Sequence, residues 1–305
     1  MNLTQLVQDR IKVLGVKEAA SFFGVSVGTV SNWATGKTPP SITAAELVLP
    51  EASEPQGELT MWQGKKLFIG MPVYRSFNAD THYTLFANYA KYGPDKIGLQ
   101  VRKGTCVWEA RNILIDKWLK TDAPTCIMCD DDMILPCGNA DYLNANHNAK
   151  LPVEIAGLNA ISRIMSHPHD KGIVGALYFG RHRNGRAQCS AGFESDEENA
   201  KYHRHEYEGL QPQRWVGTGF IRIERWVIEK FKAHLDAGNW PELKSVNDQR
   251  WDGYFTPLKV GVGEDVSFGT RCGKLGIQSY VDATLECLHC GDMSYGSQST
   301  NYNFL

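Results

Sequence analysis

The feature that most constrains this chain is Cys126-Ile127-Met128-Cys129-Asp130-Asp131-Asp132-Met133, an apolar run that ends in three consecutive carboxylates. A short apolar run bounded in this way reads as a buried strand emerging at the edge of a sheet. Three adjacent acids repel one another, so a positive group belongs among them. Oxygen ligands in this arrangement suit a hard divalent cation such as Mg²⁺ or Mn²⁺. A solvated acidic turn is the plainer reading of a charge run. The strand before it tips the balance, because open α/β sheets bind ligands beyond the carboxyl ends of their strands.

The surrounding sequence supplies such a sheet. Lys66 to Tyr74 reads as a first buried strand that stops at Pro72. A helical pattern from Asp80 to Tyr92 and a strand near Ile97 to Val101 follow, then a helix from Val107 to Leu119 and the strand Thr125 to Cys129. Further strand candidates are Gly172 to Phe179, Val216 to Ile223 and Gln278 to Val281. Strand and helix in alternation predict an α/β domain, a mostly parallel sheet covered by helices on both faces. Neither G-x-G-x-x-G nor a P-loop occurs, which argues against a dinucleotide enzyme or a P-loop ATPase.

With 305 residues there is room for one large domain and an appendage. A net charge of −2 excludes a generally basic nucleic-acid coat but leaves room for a local DNA-binding surface. No stretch has the roughly 18 apolar residues of a membrane span, and no signal-peptide core is seen at the start. We therefore expect no membrane partner and a cytoplasmic location, the host cytoplasm if the protein is phage-encoded. Eight cysteines in a chain of this length are not a disulfide scaffold. The pairs Cys126/Cys129 and Cys287/Cys290 have zinc-like spacing. They lie in strand-like sequence, however, where residues three apart face opposite ways, and we read them as small buried hydrophobes.

The first forty residues are of another kind. Leu3, Leu6, Val7, Ile11 and Leu14 have helical spacing, and Val16 to Trp33 resembles the helix-turn-helix of phage repressors. Small Ala20 allows two helices to approach, Gly24 suits the turn, and Ser26 caps the second helix. Val25, Val30 and Trp33 would pack inward. Ser26, Val27, Gly28, Thr29, Ser31 and Asn32 would then face a DNA groove, with Lys37 for phosphate. A helical dimerisation module is the alternative. Prolines 39, 40, 50 and 55 and aperiodic acidic sequence mark a linker. The expected organisation is a helical domain at 1–42, a linker at 43–63 and the α/β domain at 64–305.

Within that last domain, blocks in order resemble the GT-A glycosyltransferases, in particular the family-2-like enzymes and their phage relatives. They are Ile69 to Tyr74, Glu109-Ala110-Arg111-Asn112, the triple aspartate, Val216 to Phe220, Gly263 to Phe268, and Leu288-His289-Cys290-Gly291. The resemblance implies that Asp130 and Asp132 are the D-x-D pair. Asp132 would bind the metal directly, Asp130 would hold the donor ribose or share the metal, and His289 would add a ligand. Imidazole beside carboxylate favours Mn²⁺ over Mg²⁺. Pro72, Tyr74 and Arg111 match positions that line the donor's nucleotide pocket, with Arg111 facing the uracil or the phosphates. Packing against a helix is the competing reading for Tyr74, and an arginine on a helix is more often a surface ion-pair residue.

Sugar transfer needs stabilisation of the departing diphosphate and a base for the acceptor hydroxyl. In inverting members that base comes from the Glu-Asp element, which makes Asp265 the first candidate and Glu264 the second. Capping of the following helix is the competing reading for both. Gly217, Thr218 and Gly219 would let the backbone approach the sugar or acceptor closely, unless they form a plain bulge. Trp215 would stack on a ring or serve the core. Arg183 and Arg186 flank an Asn184-Gly185 turn, and basic side chains there would grip a phosphate backbone. Asp131, between the D-x-D pair, would point the other way and serve the fold. A helix-turn-helix fused to such a domain asks for double-stranded DNA, and a hydroxymethylated pyrimidine supplies the acceptor hydroxyl. The expected donor is a nucleotide-sugar, a UDP-sugar by preference. The alternatives are transfer to a glycan, protein or small molecule, or a DNA-binding regulator with a degenerate enzyme domain.

Overall fold

The computed structural model describes residues 11–12, 16–23, 26–35, 37, 64–73, 78–103, 106–147, 153–180, 188–192, 196–203, 206–244 and 252–290. The chain divides into two compact units, Met1–Thr60 and Met61–Leu305. In the first, helix α1 spans Val16–Phe23 and helix α2 spans Val27–Ala34. Ser26 has extended backbone angles and its hydroxyl accepts the Thr29 N–H at 3.1 Å, which fixes the start of α2. Ala19, Ala20, Val30 and Trp33 are buried, so small side chains let the helices meet. Val27, Gly28, Ser31, Asn32 and Lys37 are exposed, with Thr29 half-buried beside them. Gly24, Val25, the linker and most of the Leu3 to Leu14 segment lie outside the described residues.

The second unit is built on a seven-stranded sheet in the order β2-β1-β3-β9-β5-β10-β8. Its strands are β1 (Leu67–Val73), β2 (Ile97–Lys103), β3 (Thr125–Cys129), β5 (Ile173–Leu177), β8 (Leu210–Gln213), β9 (Phe220–Glu224) and β10 (Ser279–Glu286). Strands β2, β1, β3, β5 and β10 point one way, and β9 and β8 run against them. Two-stranded pairs add β4 (Met133–Ile134) to β11 (Leu288–His289) and β6 (Phe179–Gly180) to β7 (Gln188–Cys189). This is the mostly parallel α/β class expected from the sequence.

Helices cover both faces because the strands are apolar on both. On one side Phe68, Cys126, Met128, Ile221 and Ile223 form a core with α4 (Val107–Leu119), α6 (Arg225–Asp236) and α7 (Glu264–Lys274). On the other, Leu67, Ile69, Met71, Ile127, Cys129 and Phe220 pack with α3 (Ala79–Tyr92) and α5 (Ala160–Met165). Each large apolar side chain buried in this way contributes about 1.5–3 kcal/mol before its entropy cost. Cys126 and Cys129 fall in opposite cores, as strand alternation requires.

Several strand limits differ from the sequence expectation, β10 for one running on to Glu286, and two of the differences bear on the site. Strand β1 runs through Pro72, which lies opposite Arg102 of β2. Pairing with β3 has already ended at Gly70–Met128, so the missing N–H leaves no ladder bond unmade there. Strand β9 begins at Phe220 rather than Val216. Residues 216–219 instead form a packed turn beside Tyr178, described below.

Candidate active site

The acidic run lies where β3 leaves the sheet. Asp130, Asp131 and Asp132 form the turn from β3 into β4, closed by the Met133 N–H on the Asp130 carbonyl at 3.3 Å. The Asp130 N–H bonds the Gly219 carbonyl at 2.8 Å, and the Asp131 carbonyl accepts the Asn78 N–H at 3.3 Å. Pairing of β4 with β11 sets His289 opposite Met133, and the Cys290 N–H bonds the Asp132 carbonyl at 2.7 Å. A histidine 157 residues away in sequence thus arrives beside the aspartates.

Arg111, in the second turn of α4, is the buried cation of this site. Its Nη2 contacts Asp130 Oδ1 at 2.5 Å and its Nη1 contacts Glu264 Oε1 at 2.7 Å, with only 1% of the side chain exposed. Burial disfavours its charge, but the carboxylates of Asp130 and Glu264 outweigh that and the guanidinium stays cationic. The sequence resemblance leads one to expect Arg111 at the uracil or the phosphates. In the structure its fork is spent on two carboxylates, one from β3 and one from the start of α7. The physical reason is that two acids brought together in a desolvated place require a shared cation.

Around this strut the acids are unusual. Burial, reinforced by Asp132 and Glu264, pushes the Asp130 pKa up to about 6 against the pull of Arg111. Asp265 is also raised, first by burial and then by Glu264, while its Oδ1 accepts the Val266 N–H at 2.7 Å. Gly263 caps α7 without a side-chain bond, so both acids sit in the first turn, where the helix dipole favours negative charge. Asp132 Oδ2 lies 3.2 Å from His289 Nε2.

A cleft of about 170 Å³ opens here, lined by Pro72, Val73, Val107, Ala110, Asp130, Asp131 and Asp132. Asp131 therefore borders the cleft together with its neighbours. The alternation that sends adjacent residues to opposite faces belongs to strands, and these three residues form a turn. Tyr74, Arg183, Arg186 and Gly291 lie outside the described residues.

The donor set can be compared with a cation's needs. Two ligands at about 2.1 Å in neighbouring positions stand about 3 Å apart, which the Asp132–His289 spacing matches. Among the described residues no group of three or more His, Cys, Asp or Glu side chains is arranged to hold a metal. Asp130, the third member of the expected trio, is turned to Arg111, while Asp132 and His289 face one another. A divalent cation at such a site takes its remaining ligands from substrate phosphates and water. Cys126, Cys129, Cys287 and Cys290 are buried free thiols, the first three pushed up in pKa by burial.

Gly217 and Gly219 lie against Tyr178. A side chain at either position would collide with Tyr178, whose hydroxyl accepts the Gly219 N–H at 3.0 Å. The close approach is made by a ring of the protein itself, and Thr218 between the glycines is buried. Trp215 fills the space over Gly192 and Gly269, a packing role. Tyr178 was not found from the sequence. The available cue was the pair of glycines two residues apart, a spacing that asks for something bulky against one face.

No protein-family model matches the chain, and no curated protein sequence matches it. Among solved structures, A197 from STIV is similar over 74% of this chain and 86% of its own, at 15% identity and a TM-score of 0.41. No helix among the described residues is long and apolar enough to cross a membrane.

Proposed function

We propose that this protein is a metal-dependent, inverting glycosyltransferase that moves a sugar from a nucleotide-sugar, a UDP-sugar by preference, to a hydroxymethylated pyrimidine in double-stranded DNA. The observation that carries the reading is the meeting, beyond the carboxyl ends of β1 and β3, of three separate elements, two of them acidic. They are the Asp130–Asp132 turn, His289 at the end of β11, and Glu264-Asp265 at the start of α7, with Arg111 joining the first to the last. Ligands of open α/β sheets bind at that edge.

Asp132 and His289 would hold the cation, which when bound supplies Lewis-acid stabilisation of the charge on a departing diphosphate. Pro72 and Val73 at the end of β1 would border the nucleoside. Arg111, by occupying both Asp130 and Glu264, keeps two acids beside an anionic donor from acting as unshielded repellents. Asp265 is left to take the proton of the acceptor hydroxyl. Its raised pKa makes it a stronger base than an exposed aspartate, and Glu264 is already engaged. As the O–H bond yields its proton to Asp265, the acceptor oxygen bonds the anomeric carbon. The carbon–oxygen bond to the diphosphate breaks as the new bond forms, its electron pair leaving with the diphosphate.

The DNA acceptor is favoured by the first unit. A capped second helix exposes Val27, Gly28, Ser31 and Asn32 and keeps Val30 and Trp33 inside, the division that a groove-reading helix requires. The test is incubation of the full chain with Mn²⁺, a panel of nucleotide-sugars and DNA containing hydroxymethylcytosine or hydroxymethyluracil. Mass spectrometry of the digested nucleosides should show a hexose or pentose adduct. Adducts on a glycan, protein or small molecule instead of DNA would move the acceptor to another class. Absence of any nucleoside diphosphate release with any donor would end the transferase reading.

A further inference from the structure

Tyr178 lies just past β5 and touches both halves of the candidate site. Its hydroxyl accepts the Gly219 N–H at 3.0 Å, and the Gly219 carbonyl in turn accepts the Asp130 N–H at 2.8 Å. That places the phenol one residue from the backbone of the carboxylate that Arg111 holds. On its other side the ring meets His289 edge-on, with centroids 5.7 Å apart and planes at 72°.

The residue is itself firmly placed. The Tyr178 N–H bonds Ser190 Oγ at 3.1 Å, and its carbonyl accepts the Ser190 N–H at 2.9 Å. The Ser190 carbonyl accepts the Gly217 N–H at 2.7 Å, so one serine ties Tyr178 to the very turn it packs on. Space for the ring exists because positions 217 and 219 carry no side chain. A Cβ at Gly219 would stand 2.9 Å from the ring carbon that bears the hydroxyl, and one at Gly217 would overlap the hydroxyl oxygen. Burial, and then the nearby Asp130, hold the phenol well above its ordinary pKa and therefore protonated.

We propose that Tyr178 is a positioning residue that sets the separation between the Arg111-held carboxylates and the Asp132–His289 pair, so that both address one ligand. A hydrogen bond fixes the height of the first group through Gly219, and a ring edge limits where the imidazole of the second can turn. The role deepens the transferase reading and depends on it only for what the ligand is.

The experiment uses the full chain and two substitutions. Tyr178→Phe removes the anchor on Gly219 but keeps the ring, and Tyr178→Leu removes both. Amide exchange followed by NMR should be about tenfold faster at Gly219 and Asp130 in the Phe variant, with the melting temperature changed by only a few degrees. The His289 ring resonances should stay in place with Phe and move with Leu, which lacks a ring current. Calorimetric titration with Mn²⁺ and UDP should show affinity about tenfold weaker in the Phe variant, the size of one lost hydrogen bond. Unchanged exchange in Tyr178→Phe would overturn the proposal. So would faster exchange with unchanged Mn²⁺ and UDP affinity, since the tyrosine would then serve the fold alone. Wild-type protein that binds neither Mn²⁺ nor UDP would overturn the transferase reading instead, and the exchange and His289 data would decide the role of Tyr178 without it.

Discussion

Asp130 and Asp132 stand two residues apart in one turn and are almost equally exposed, at 25% and 27% of their side chains. Their circumstances are nevertheless opposite. Asp130 faces a guanidinium that is itself buried and shared with Glu264. Asp132 faces an imidazole, whose charge depends on its proton. Since exposure is matched, the counter-charge makes the difference. A permanent internal cation turns a carboxylate into part of the framework. A carboxylate beside a histidine keeps the capacity to take a cation from outside. Under the proposed function the two aspartates would divide the labour, the second as the cation's ligand and the first as the link to α7.

The division is broken most severely at Arg111. Arg111→Met leaves two acids crowded together without their cation, and loss of one partner from a buried charge network costs about 3–5 kcal/mol. Urea unfolding should register a loss of that size. Arg111→Lys should recover only part of it, because an ammonium lacks the planar fork that reaches two carboxylates at once. A loss below about 1 kcal/mol in Arg111→Met would mean that Asp130 is no more structural than Asp132.

The next effect is one of pH. Asp130 has a folded pKa of about 6, above its unfolded value near 3.9. The folded state therefore binds its proton more tightly. The stability this group contributes is present below about pH 4 and is lost as pH rises through 6, a change of roughly 2–3 kcal/mol. Asp282, buried in β10, has the reverse sign. Burial works against its charge, but hydrogen bonds from His167 and Arg163 outweigh that and lower its pKa. Its contribution is present above about pH 4 and is lost as pH falls through the lowered pKa. Wild type compared with Asp130→Asn at successive pH values from 4 to 7 isolates the first group. Wild type should lose ground steadily across that range, and a flat difference would contradict the raised pKa.

These distinctions lie at the limit of what the sequence discloses. Helix α4 and strand β3 have the limits read from sequence, residue for residue, because apolar periodicity decides them locally. The acidic turn, the Glu264-Asp265 step and His289 were also legible as a set, each lying at the end of a readable element. What each side chain touches was not. Arg111 was visible as an arginine on a helix, but the two acids that claim it come from 19 and 153 residues away. Gly217 and Gly219 advertised a close approach without naming Tyr178 as its maker. Arg222, fully buried and bonded to the carbonyls of Ile164, His167, Pro168 and Lys171, gave no local sign at all. Charge pairing and packing across the sheet are properties of the fold, and one-dimensional pattern carries little of them.

Gly217→Ala tests whether the turn beneath the site is as tightly filled as this implies. The added methyl must displace the Tyr178 hydroxyl, and overpacking of this kind costs about 1–3 kcal/mol. Combining it with Tyr178→Leu should recover part of the loss, so that the two changes cost less together than their sum. Simple additivity, read from unfolding of the two single variants and the double, would mean that the glycine and the tyrosine do not share that space.

The smallest change in stability is expected at Asp132, and there the contrast with Arg111 is sharpest. Asp132→Asn keeps the size and much of the hydrogen bonding of the side chain and removes a charge that pairs with His289. A partly exposed pair of this kind is worth about 1 kcal/mol or less, so the melting temperature should move by only a few degrees. Mn²⁺-dependent release of UDP from a UDP-sugar should nevertheless disappear, because Asn offers a neutral oxygen where a charged ligand is needed. Stability and turnover are then separated at one residue and joined at the other. If Asp132→Asn instead unfolds as readily as Arg111→Met, both aspartates belong to the framework and the cation has no protein anchor in this turn. If it leaves UDP release intact, the pair formed by Asp132 and His289 is a structural contact, and the ligands must be sought elsewhere in the cleft.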